Sequence, residues 1–153
     1  MANAKRFDEI DLWRGAVLNA AYARRLLGRL EAIRAAHPGT AEERALTVLQ
    51  AFYQAFGEDL CGARLFVIEM TCFGPAVHQE GEALRREFGA FFMRTVAPDA
   101  NAQPKDCEFA WAGAVGATLQ ILKRWIHTDC RASVEELAAE ALKFCLVLAE
   151  PST

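Results

Sequence analysis

Apolar residues recur every three or four positions along nearly the whole chain, and no stretch alternates with a period of two. That spacing predicts helices and no strands. Ile10, Trp13, Val17, Ala20, Leu27, Leu30 and Ile33 line a first helix from about Asp8 to Ala36, with Arg24, Arg25, Arg29 and Arg34 on its solvated side. His37-Pro38-Gly39 ends it. Thr40 and Glu43 form a capping box for a second helix. Leu46, Leu49, Phe52, Tyr53 and Phe56 make its inner side, and Gly57 is its expected stop. A third helix, Leu60 to Phe73, is apolar nearly all round, which predicts a central, buried position. Pro75 suits the first turn of a fourth helix running to Val96. Its apolar residues are Val77, Leu84, Phe88, Phe91, Phe92 and Val96, while Glu80, Glu82, Arg85, Arg86 and Glu87 are mostly outside. Residues 98–106 read as a loop. A fifth helix follows from Glu108 to Thr128, and a second capping box, Ser133 with Glu136, opens a sixth that reaches about Ala149.

The fifth helix is apolar on two sides. Trp111, Val115, Leu119, Leu122, Trp125 and Ile126 are large and fit the chain's own core. Ala110, Gly113, Ala114, Ala117 and Ile121 are mostly small and lie opposite. A surface helix needs one apolar stripe, so the second predicts another surface to meet, most simply a second copy of the chain. Gly113 and Gly116 cost roughly 1 kcal/mol each relative to Ala inside a helix, which strengthens that expectation. On the sixth helix Val134, Leu137, Ala138, Ala141, Leu142, Cys145 and Leu148 point inward, widened by Phe144, Leu146 and Val147.

Composition narrows the class. The 153 residues are most simply one domain, 1–153, able to bury a core without staples. Hydrophobic residues make up 53%, which suits a compact helical protein with an apolar cavity or an oligomeric surface. A net charge of −3 argues against a nucleic-acid surface. Five Cys without a CxxC predict reduced, cytoplasmic thiols. Cys61, Cys72, Cys107 and Cys145 read as small buried residues and Cys130 as a loop thiol. The polar start, MANAKRFDEID, predicts no signal peptide, and no apolar run reaches the roughly 20 residues a membrane span needs.

Candidate chemistry is sparse. Glu69 stands among Phe66, Met70 and Phe73 on one side of the third helix, where a carboxylate must be paired, hydrogen-bonded or protonated. It is either a polar anchor in an apolar ligand pocket or half of a structural pair. The aromatic set of Trp13, Phe52, Tyr53, Phe56, Phe66, Phe73, Phe88, Phe91, Phe92 and Trp111 is mostly core, with several members expected around a cavity. His37, His78 and His127 share no metal-ligand spacing, and neither a GxSxG, a P-loop nor a GxGxxG occurs. Neither a metal nor a cofactor is called for, and no catalytic set is expected.

The stretch GARLFVIEMTCFGP at 62–75, a long amphipathic helix, a loop, and VGATLQILKRWIHTDCRASVEELAAEALKFCLVL resemble the C-terminal half of TetR/AcrR-type transcriptional regulators. The resemblance covers roughly residues 8–149 and is one of pattern. It implies an all-α antiparallel bundle of about six helices that binds a small, often hydrophobic effector. It also implies a homodimer in which the last two helices, about 107–128 and 133–149, form a four-helix bundle with their copies. The family's helix-turn-helix domain does not fit in residues 1–7, so this polypeptide is not expected to bind an operator alone.

Combined with the helix faces, these readings place the ligand at Trp13, Tyr53, Phe66, Glu69, Met70, Phe73, Phe92 and Trp111. The dimer surface is expected at Ala110, Gly113, Ala114, Ala117, Ile121, Leu137, Ala141 and Leu148. Two other readings stay open: a helical-bundle enzyme acting on an apolar substrate through Glu69, and a purely structural or partner-binding bundle.

Overall fold

The computed structural model describes residues 20–72, 75–97 and 108–149. Among them are six helices and no strand. The first, α1, is described over 20–36 and ends before His37-Pro38-Gly39, as its sequence predicts. The others are α2 (Ala41–Glu58), α3 (Leu60–Cys72), α4 (Pro75–Val96), α5 (Glu108–His127) and α6 (Val134–Ala149). Trp13 and Phe73 lie outside the described residues, and of Glu69, Met70 and Leu148 only the helical backbone is described.

Local chemistry sets most helix starts. Glu43 N donates to Thr40 Oγ1 at 3.2 Å while Thr40 N donates to Glu43 Oε2 at 2.8 Å. Ser133 and Glu136 repeat the arrangement at α6, with the same two distances. Both expected capping boxes are therefore formed. Asp59 adds a start the pattern did not reveal: its Oδ1 accepts from Gly62 N at 2.8 Å at the head of α3.

Gly57 does not stop α2, which runs through it to Glu58. A Cβ at position 57 would stand 3.2 Å from the ring of Trp125. Glycine there makes room for the Trp125 ring against α2 and does not form a left-handed turn. The left-handed residues are instead Asp129 and Cys130, at φ 55° and 54°, after α5. That turn is tied back to the helix, since Cys130 N donates to Trp125 O at 3.0 Å and Trp125 Nε1 to Ala132 O at 2.9 Å.

Packing centres on α2, which lies against α6, α4 and α3, while α5 packs on α6, α4 and α3. Phe52 is the hub of the interior. Its ring centroid is 4.9 Å from that of Phe56, 5.2 Å from Tyr53, 6.1 Å from Phe88 and 6.3 Å from Phe92. Such edge-on pairs contribute beyond area burial, on the order of 1 kcal/mol each. From α1, Ala20, Ala23, Leu26 and Leu30 enter the same core. Glu31 pairs with Arg34 and reaches Arg94 of α4 at 4.0 Å, and Arg29 meets Glu58 at 3.4 Å. The arginine side of α1 is thus partly engaged with other helices, and Arg34 is half-buried.

On α6, Leu137, Ala138, Ala141, Leu142 and Cys145 are buried by their own chain. The helix covers α2 as well as α5. Ala114, Leu137 and Ala141, expected on the dimer face, are only 2%, 8% and 0% exposed within a single copy. They offer no area to a second copy in this packing. The reason is that α2 buries seven residues, from Ala45 to Phe56, and needs α6 as a cover.

Candidate ligand gap and association surface

Between α2, α3, α4 and α5 lies a gap of about 10 Å³, lined by Phe52, Phe66, Arg85, Phe88, Phe92, Val115, Thr118 and Leu119. A volume of that order holds about one water. Of the expected ligand residues, Phe66 and Phe92 line it. Tyr53 and Trp111 are buried beside it without forming its wall. Phe52 and Phe88 belong to the aromatic set read as mostly core, and here they are walls.

Arg85 was expected outside. It is half-buried, paired with Glu82, and its side chain borders the gap. Arg85, Phe88 and Phe92 stand at i, i+3 and i+7 of α4, so helical spacing could have put the arginine on the aromatic side. Gly89, on the same helix, lets α5 come close: a Cβ there would be 3.7 Å from Trp111 Cβ.

Arg85 is the charged neighbour of the gap, and the two hydroxyls beside it are hydrogen-bonded within the bundle. Tyr53 Oη donates to the Thr118 carbonyl at 3.1 Å, and Thr118 Oγ1 donates to Ala114 O at 2.9 Å. Burial pushes the Tyr53 hydroxyl far above its ordinary value, with the nearby Cys145 adding to it. Burial alone pushes the Cys145 thiol up to about 11. Neither group ionises near neutrality, so neither supplies a base or a thiolate there. Among the described residues no three His, Cys, Asp or Glu side chains converge as a metal site.

The opposite side of α5 is open. Phe109 is 93% exposed, and Ala112, Gly113, Gly116 and Gln120 are exposed with it. Ala110, Ala117 and Ile121 are half-buried at its margin. A Cβ at Gly113 or Gly116 would meet nothing within 4 Å. The exposed strip therefore runs through Gly113 and Gly116 and is rotated away from Ala114, which faces inward. On α6, Phe144 is 50% exposed, although a covered position was expected for it. Cys61 is exposed, against the expectation of burial, while Cys130 is half-buried and Cys145 buried; all three are free. No helix among the described residues is long and apolar enough to cross a membrane. Comparison with protein-family models, with curated proteins and with solved structures gives no match to this chain in any of the three.

Proposed function

We propose that the chain is a homodimeric effector-binding domain of the TetR/AcrR regulator type, acting by binding and association and not by catalysis. The observation that carries the reading is the two-sidedness of α5. Val115, Thr118 and Leu119 wall the aromatic gap on one side, while Gly113 and Gly116 face open space on the other. One helix thus borders both the gap, where the proposal puts an apolar effector, and an exposed strip, where it puts a second copy. A small hydrophobic molecule would enter by displacing rings of the Phe52, Phe66, Phe88 and Phe92 cluster, and the repacking would bias α5 against its copy. Within a complete regulator that bias would alter the spacing of two DNA-reading heads.

Sedimentation velocity at micromolar concentration tests the association. The wild-type chain is expected to be a dimer. Gly113→Leu is expected to be a monomer of undiminished helicity, because a Cβ at that position has nothing within 4 Å in its own copy and leucine favours the helix. A wild-type monomer, or a Gly113→Leu dimer, rejects the assignment.

The size of this gap, among the described residues, favours a second reading, in which it takes no ligand and the bundle only associates. Room for one water is far below the roughly 300 Å³ of a ligand pocket. Thermal unfolding with increasing indole separates the two. A midpoint that climbs with indole concentration supports a site that opens, and a constant midpoint at millimolar indole leaves association alone.

A further inference from the structure

We infer that the effector is a small aromatic carboxylate, its carboxylate held by the Arg85 guanidinium and its ring taken in among the phenylalanines of the gap. This rests on the effector-binding reading above and deepens it by naming the chemical class of the ligand.

Among the residues that line the gap, Arg85 alone is charged. Thr118 is the other polar one, and its hydroxyl is spent on its own helix, donating to Ala114 O at 2.9 Å. The Arg85 side chain is 24% exposed, so it borders the gap and water at once. Phe88 and Phe92 follow it into the gap along α4. At roughly 1.5 Å per residue, Phe92 stands about 10 Å from Arg85 along the helix axis. The wall is therefore graded, with a cation at one end and phenyl rings beyond it. A ligand with an anionic head and a flat apolar body matches that order.

The guanidinium already holds a carboxylate, that of Glu82, three residues earlier on the same helix. The Glu82 side chain is 45% exposed, and a surface pair of this kind contributes little. Exchanging Glu82 for a ligand carboxylate keeps a charge-assisted, two-pronged hydrogen bond at Arg85 and returns Glu82 to water. The ligand ring then adds apolar burial that Glu82 does not provide. Arginine suits this position because its guanidinium is weakly hydrated and stacks on aromatic faces. A cationic ligand meets a like charge here and no carboxylate in the wall. The alternative role for Arg85 is packing alone, its stem covering phenyl surface while its head stays in water. Because the gap of about 10 Å³ holds about one water, the ring enters by displacing phenyl side chains.

The test is thermal unfolding of the full chain titrated with indole, indole-3-carboxylate and indole-3-carboxamide. The last two match in shape and differ in charge. The wild-type chain is expected to reach a given rise in midpoint at a concentration of carboxylate at least about tenfold below that of carboxamide. In Arg85→Met, which keeps the stem and removes the charge, the two concentrations are expected to fall within about threefold of each other. Arg85→Gln, polar but uncharged, is the second variant and is expected to behave alike. A wild type that responds equally to carboxylate and carboxamide overturns this inference while leaving the effector reading standing. A preference that survives in both variants overturns the assignment to Arg85. A midpoint that none of the three compounds moves at millimolar concentration overturns the effector reading and this inference with it.

Discussion

Asp129 and Cys130 hold the turn after α5 in left-handed backbone, at φ 55° and 54°, without a glycine. An L-residue pays roughly 1–2 kcal/mol for that conformation, and glycine loses roughly 0.5–1 kcal/mol more chain entropy on folding. Asp129 is exposed, so removing its side chain forfeits no core contact. Asp129→Gly is therefore expected to stabilise the fold by about 0.5–1 kcal/mol. A rise in the urea midpoint at constant slope is the readout, and a fall contradicts the strain argument. A glycine there would have announced the turn in the sequence, whereas Asp-Cys did not. The Tyr53 hydroxyl was hidden for a different reason: its acceptor, the Thr118 carbonyl, is 65 positions away.

Helix by helix, what the sequence revealed is what neighbours within four residues decide. The capping boxes at Thr40 and Ser133, the stop at His37-Pro38 and the start at Pro75 all formed because their partners are local. Gly57 shows the limit. Its neighbours suggested a stop, but the deciding contact is Trp125, on another helix. Two glycine substitutions make the distinction measurable. Gly28 of α1 would add a Cβ into open space, so Gly28→Ala is expected to stabilise by about 1 kcal/mol. Gly57→Ala pushes a methyl group against a buried indole that is fixed by its bond to Ala132, so the same propensity gain is offset. Denaturation should place Gly28→Ala above Gly57→Ala by at least about 1 kcal/mol; equal effects would mean that Trp125 yields freely. The exposed side of α5 shows the same limit. That α5 had two sides was legible, but its exposed strip could not be placed until α6 was seen to cover α2.

For the molecule as a whole, the shifted groups define a plateau of stability with two different edges. Glu31, Glu43 and Glu136 have carboxyls held below their ordinary value of 4.5, the first by the Arg34 guanidinium and the others by the cap residues Thr40 and Ser133. A depressed pKa means the unfolded chain binds protons more readily, so stability present above 4.5 is lost as the pH falls through the folded values. On the alkaline side the sign reverses. Cys145 ordinarily titrates at 9.0 and is pushed up to about 11 in the fold. The unfolded chain therefore loses that proton first, and the contribution, whole below pH 9, drains away as the pH rises to about 11. Two pH units correspond to roughly 2–3 kcal/mol. Cys145→Ala should thus cost stability at pH 7 through the space it leaves, yet flatten the decline between pH 9 and 11, with Tyr53 and Tyr22, both raised by burial, keeping the remainder. Urea midpoints of both proteins at pH 7, 9 and 10.5 decide it. Parallel alkaline declines would show that the Cys145 thiol is not the group that ties this core to pH.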